Sequence, residues 1–324
     1  MIRTFAIALC IVAAAAAAWM AIARYAVPIS GDTAWVRGLY ERKEAAARRI
    51  AEPKIVLIGG SGTHYSFSAE YLAKRTGIPA VNLGTHAGLG LEYLLYRARR
   101  SLRPGDVAVL AIEPPLYHRN TVSAVLANQV VKDDFAFILH APSYDGVRIF
   151  FGLNVRELLR DQARSLLGAV PHPTRRPESV SPWGDESLDV SKYVVPGVLA
   201  LPDDPPAMKL DLPKPDSPPR TLTRFFAWAA SNGVTVAQAW TPTLALPANQ
   251  REDYRAYFRR VSEWYRQAEA IRLGEIEQYV LGREDMFETI FHANERGRIK
   301  ATEVLAREFC KARKCPAAPA ATDR

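Results

Sequence analysis

Ser61 and His292 are the residues whose types and surroundings fit nucleophilic chemistry in this chain. A serine hydroxyl is a poor nucleophile until a base takes its proton, and the base works best when a third group orients it. Ser61 ends the run Lys54-Ile55-Val56-Leu57-Ile58-Gly59-Gly60-Ser61, four apolar residues followed by two glycines. That pattern predicts a buried parallel strand that stops in a tight turn with the serine at its exit. His292 lies in Phe287-Glu288-Thr289-Ile290-Phe291-His292-Ala293-Asn294-Glu295-Arg296-Gly297, with Glu288 four residues before it and a helix start after it. Glu288 is placed to hold the imidazole. In an open α/β sheet, residues at the carboxyl ends of different strands converge on one crevice, so these two distant segments can meet.

Other residues near those strand ends join the list. Gly84, after the second strand, is a candidate backbone donor to an oxyanion beside the amide of Ser61. His64 sits three residues after Ser61, too close along one turn to act as its base, and is expected to line the pocket. His86, after the second strand, and Glu113, after the third, are expected to face the substrate. His118, His140 and His172 are expected at the surface. Taken singly, Gly-Gly-Ser is an ordinary turn and a lone histidine an ordinary helix start; only their joint placement points to a site. No CxxC pair and no His/Cys cluster has metal-ligand spacing, so no metal and no cofactor is expected.

The elements that must position these residues alternate between strand and helix. Apolar runs predict strands at about 54–58, 79–83, 107–112 and 233–240, with a weaker fifth at 277–281. Helices are expected at 34–51, 66–76, 91–102, 250–276 and from the Asn294 cap to about 312, with Gly77 and Pro79 as stop signals. Such alternation implies an α/β fold with a parallel sheet and right-handed crossovers. Between the third and fourth strands lies a long insertion, 119–222. Its first half reads as helical to about Leu167. Its second half carries twelve of the chain's 23 prolines, Pro171 to Pro219, and either caps the site or links as a loop. The residues after Pro316, rich in Ala and Pro, are expected to be disordered.

From Phe5 to Ala23 the chain is wholly apolar, with Arg3 before the run and Arg24 after it. Its length approaches the roughly 20 residues that span a bilayer and exceeds the about 7–15 of a signal-peptide core. A retained single-pass anchor over 1–25 is expected; Ala-x-Ala triplets leave cleavage open. Arg24, Arg37, Arg42 and Lys43 outnumber Arg3, which opposes an exported body, whereas the very short segment before the run favours one. The expectation is an inner-membrane anchor with the globular part in the periplasm. Cys310 and Cys315, five apart, either form a small disulfide or stay free. The 324 residues carry a net charge of +8 with 48% hydrophobic and 23% charged residues. The basic residues are spread through mixed-sign helices such as 251–272, so a nucleic-acid partner is not expected; attraction to an anionic membrane or glycan is.

Gly59-Gly60-Ser61, Asn82-Leu83-Gly84, Pro104-Gly105-Asp106 before the strand ending at Glu113, and Glu288-x-x-x-His292-Ala293-Asn294-x-x-Gly297 occur in the order of the SGNH (GDSL-like) hydrolase superfamily. The chain resembles most its envelope branch, the membrane-anchored relatives of polysaccharide O-acetyltransferases, over roughly 54–115 and 225–312. The resemblance implies a flavodoxin-like three-layer sandwich of strand order 2-1-3-4-5, divided as 26–118 and 223–313 around the insertion, with a tail at 314–324. It implies Ser61 as nucleophile, His292 as base, Glu288 as its orienter, and the Ser61 and Gly84 amides as oxyanion hole. The implied activity is transfer of an acyl group, usually acetyl, to a carbohydrate hydroxyl or to water; envelope biosynthesis proteins are possible partners. Two departures stand out. The superfamily's usual Asp three residues before the histidine is Thr289, and Glu113 replaces its oxyanion asparagine. A degenerate member that only binds glycan or a biosynthetic partner is the alternative.

Overall fold

The computed structural model describes residues 2–26, 31–118, 121–140, 145–167, 179–187 and 217–315. The expectations for His172, for most of the Pro-rich half of the insertion and for the tail after Cys315 fall outside these residues. The chain divides into two units: Met1–Gly38 with Thr121–Pro177, and Leu39–Asn120 with Glu178–Arg324. The boundary therefore cuts the insertion between Pro177 and Glu178, and the described residues 179–187 belong with the sheet.

In the first unit, α1 (Ile2–Ala21) runs into a π-helical turn, Ile22–Ala26. Arg3–Tyr25 is long and apolar enough to cross a membrane, with a mean hydropathy of 2.4. The unit continues with the start of α2 (Gly31–Arg49) and with α6 (Ala124–Lys132), the 3-10 turn Phe135–Leu139, α7 (Asp145–Gly152) and α8 (Val155–Leu166). Among the described residues, the expected helical half of the insertion is thus three α-helices and a 3-10 turn, and α6 packs on α7 and on the π-helical turn.

The second unit is built on a five-stranded parallel sheet. Its strands are β1 (Ile55–Ile58), β2 (Ala80–Asn82), β3 (Val107–Leu110), β4 (Thr235–Gln238) and β6 (Ile271–Arg272), in the order β2-β1-β3-β4-β6. β1 and β3 are buried at every position, as strands covered on both faces must be. Two strands, β5 (Thr243–Leu244) and β7 (Val280–Leu281), form a separate parallel pair. The fifth strand of the main sheet is therefore 271–272, not the expected 277–281. The helix expected over 250–276 stops early because the backbone of Glu269 turns left-handed (φ 55), and the chain then re-enters the sheet.

Helices close the layers around this sheet. α5 (Gly90–Arg99) and α9 (Arg220–Ser231) pack on each other and against β1 and β4. α3 (Ser61–Ser66), α4 (Ala69–Thr76) and α11 (Glu295–Arg313) form another group, with α4 against β2. α10 (Glu252–Gln267) buries Tyr254, Tyr257, Phe258, Val261 and Tyr265, one apolar stripe at helical spacing, beside β4 and β6. The Pro104-Gly105-Asp106 turn is fastened by its acid. Asp106 pairs with the buried Lys54 ammonium at 2.7 Å and accepts the Lys54 and Arg103 amides. That saturation of both oxygens is what makes a fully buried ion pair tolerable. At the far end, Cys310 and Cys315 are joined in a disulfide with Cα atoms 4.7 Å apart.

Candidate active site

The site forms where the loops leaving β1, β2 and β3 meet the loop before α11. Ser61 is the first residue of α3. Gly60 precedes it as cap residue and offers no side chain to the helix end. Glu113, at the exit of β3, fills that role from outside: its carboxylate accepts the Gly60 amide at 3.0 Å and the Gly62 amide at 2.7 Å. An acid at a helix amino end satisfies orphan donors and complements the helix dipole. The fit requires glycine, since a Cβ on Gly60 would lie 2.5 Å from Glu113 Oε1 and 2.8 Å from Ala87 Cα. Thr63 and Thr241 both donate to Ala111 O at 2.6 Å, tying the loops after β1 and β4 to the end of β3.

The His292 loop is a small antiparallel excursion closed by the Met286–Ala293 bridge, with the Phe287 amide donating to His292 O at 2.7 Å. Asn294 caps α11 by accepting the Gly297 amide and donates to Glu284 O and Met286 O. Ser66 on α3 fastens this loop through its hydroxyl: Oγ donates to Phe291 O at 3.0 Å and accepts the Ala293 amide at 2.9 Å.

With both segments fixed, His292 Nε2 lies 2.8 Å from Ser61 Oγ, and Nδ1 lies 3.1 Å from Glu288 Oε1. For Nε2 to accept the serine proton, Nδ1 must carry the ring proton and donate it to Glu288. The ring packs on Tyr65 (centroids 4.7 Å apart), which also packs on Phe287. Thr289 turns its hydroxyl to the Phe291 amide and so shapes the loop rather than the ring. The longer Glu288 reaches Nδ1 from one residue earlier.

Three expected roles need correction. The Gly84 amide does not point to the serine, because Asn82 Oδ1 accepts it at 2.8 Å in a tight turn of the Asx type. Gly84 is a packing glycine: a Cβ there would lie 2.5 Å from the His64 amide nitrogen. Asn82 spends its own amide on Thr63 O and Phe67 O, which locks α3 to β2. Glu113 is 3% exposed and serves the helix start beneath the serine, so it does not face substrate. Burial pushes its carboxyl above the usual range, against the pull of the two amides. His64 is fully buried and meets Glu186 at 3.2 Å instead of lining a pocket. Burial, with the nearby Lys43, lowers its pKa to about 4, so the ring is neutral at physiological pH.

The other expected residues lie as follows. The Ser61 amide meets no acceptor among the described residues. His86 is half-buried; its Nδ1 accepts the Gly88 amide and caps the turn Ala87–Leu89, which abuts Gly60. His118 is half-buried, with Nε2 3.0 Å from the Tyr257 hydroxyl, and His140 is exposed.

One cluster was not anticipated. Trp183-Gly184-Asp185-Glu186, inside the Pro-rich half, docks on the edge of β2, where Trp183 O accepts the Asn82 amide at 2.9 Å. Gly184 has φ 79, and a Cβ on it would lie 2.4 Å from Asn82 O. Lys43 on α2 donates to Gly184 O at 2.5 Å and Asn82 O at 3.1 Å. Burial drops its pKa to about 7 despite Asp185 and Glu186 nearby. Asp185 caps α4 through the Ala69 and Glu70 amides, and Glu186 buttresses His64 behind Tyr65. A four-residue island of unlike composition between prolines was its signal in the sequence. No family model, no curated protein and no solved structure matches this chain.

Proposed function

We propose that this chain is a serine-dependent acyltransferase or esterase of SGNH-like, flavodoxin-like architecture, anchored by α1, which acts on an envelope glycan from the periplasmic side. The observation that carries the reading is the continuous Glu288–His292–Ser61 chain at 3.1 and 2.8 Å. The order β2-β1-β3-β4-β6, all parallel, supports the same architecture. In the reaction, Ser61 Oγ bonds to an ester carbonyl while its proton passes to His292 Nε2. Glu288 stabilises the resulting imidazolium. The Ser61 amide faces the oxyanion, and the imidazolium returns the proton to the leaving alcohol as the C–O bond breaks. A glycan hydroxyl or water then repeats the sequence on the acyl-serine, with His86 at the rim as substrate contact.

A second reading, a glycan-binding protein without turnover, is favoured by one feature: the Gly84 amide is engaged by Asn82, which removes a donor worth on the order of 100–1000-fold in rate where it operates. A fluorophosphonate probe on the full chain separates the two. Labelling that disappears in Ser61→Ala and in His292→Ala is the expected result. Absence of labelling in the folded wild type refutes turnover at Ser61 and leaves the binding reading.

A further inference from the structure

We propose that the first unit makes a second membrane contact, in which α7, α8 and the turn Phe135–Leu139 lie on the surface of a bilayer with anionic headgroups beside the spanning α1. The inference rests on α1 crossing the membrane and is independent of the acyl-transfer reading. Among the described residues, every exposed large hydrophobic side chain except Ile299 belongs to this unit. Those outside the N-terminal segment include Phe135, Leu139, Phe151, Leu159, Leu166 and Leu167, the last two 78% and 84% exposed. The same helices also bury an inner apolar face, with Ile149 at 1%, Leu153 at 7% and Leu158 at 4%. Helices that are apolar toward their own unit and apolar away from it expose more large apolar side chains than a soluble protein usually does.

Two observations choose lipid as the occupant. The first is depth. Arg24 closes the apolar run of α1, and such a residue marks the membrane–water boundary. Its guanidinium donates to Val131 O at 2.9 Å and stacks over Phe135 at 5.3 Å. Whatever depth Arg24 takes, the Val131–Leu139 segment takes with it, which sets Phe135 and Leu139 at the interface. The second is charge. In α8, Arg156 and Arg160 stand four residues apart on one flank of the exposed Leu159 and Leu166. Arg148 on α7, Arg156 and Arg160 are exposed. An apolar face bordered by arginine is the signature of a helix lying in the plane of an anionic interface.

The test uses the full chain in vesicles of phosphatidylcholine with or without phosphatidylglycerol. Cys10→Ser removes the free thiol, and the Cys310–Cys315 disulfide leaves an introduced cysteine as the labelling position. Nitroxide labels at Phe151→Cys and Leu166→Cys are compared with Leu9→Cys in α1 and Glu263→Cys on α10 by collision with oxygen and with a nickel chelate. Positions 151 and 166 are expected to favour oxygen, as position 9 does, while position 263 favours nickel. Nickel preference at 151 and 166 overturns the proposal. So does exclusion of both reagents, which would mean that protein, a partner or a second copy, covers the patch. Arg156→Glu with Arg160→Glu is expected to move the label at 151 toward water several-fold in vesicles with phosphatidylglycerol. An unchanged label in that variant, or one indifferent to phosphatidylglycerol in the wild type, refutes the anionic part.

Discussion

The Ser66 hydroxyl is the narrowest link between the two halves of the site, and Ser66→Ala tests whether it matters. The side chain is fully buried and serves two backbone groups of the His292 loop, Phe291 O and the Ala293 amide. Ala293 is itself 0% exposed. Alanine leaves that amide without an acceptor, at about 1–3 kcal/mol. Phe291 is half-buried, so water replaces the donor lost to its carbonyl at little cost. If the loss falls on global unfolding, the thermal midpoint drops by about 2–12 °C for a unit of this size. If it falls on the loop alone, the opening equilibrium rises by about 5- to 150-fold, since each 1.4 kcal/mol is tenfold. The two cases separate in one experiment on the full chain: calorimetry for the midpoint, and the fluorophosphonate labelling rate for the alignment of His292 with Ser61. Ser66 does not border the serine, so KM for a small ester such as p-nitrophenyl acetate stays constant while kcat falls. A variant with wild-type midpoint and wild-type labelling refutes the reasoning.

Glu113→Gln keeps the shape but sets an NH₂ against one of the two glycine amides, which costs about 1–3 kcal/mol and slows labelling of Ser61. Because burial raises the Glu113 pKa, its stabilising contribution is complete below the ordinary value of 4.5 and is lost as pH rises through the folded value. The midpoint difference between wild type and Glu113→Gln should therefore shrink with rising pH in urea titrations; growth would contradict the shift. Lys43 behaves oppositely. Its folded pKa of about 7 lies below 10.5, so stability is gained as pH rises between the two values, and wild type should gain on Lys43→Met across that window. Gly184→Ala combines a left-handed φ of 79 with a 2.4 Å approach to Asn82 O, so it should cost more than about 1 kcal/mol and expose the 179–187 segment to proteolysis.

β1 and β3 were legible as continuous apolar runs, the pattern of strands buried on both faces, and β2 and β4, interrupted by Asn82 and by Thr235 and Gln238, from their apolar neighbours and the Gly84 and Pro242 that close them. Ile271–Arg272 was hidden: two residues carry no periodicity, and only the left-handed Glu269 separates them from α10. Val280-Leu281 looked like the missing strand because its composition is right; its partner, Thr243-Leu244, is too short to read. The pairing of Ser61, His292 and Glu288 was legible because each side chain lies at a strand end or helix start, where topology alone brings residues together. The true partners of Glu113 and Gly84 were not. An exposed carboxylate and one that caps a helix look alike in sequence, and only the coordinates assign the Gly84 amide to Asn82. The Trp183–Glu186 cluster depends on Lys43, 141 residues from Gly184 in the chain, a separation over which no local pattern speaks.

The 231 positions between Ser61 and His292 also order events in time. Synthesis delivers the Ser61 hydroxyl well before the His292 imidazole. On the proposed function, a polypeptide that stops before 292 holds a hydroxyl with no base beside it, and reactivity toward esters waits until the His292 loop is made and folded onto α3.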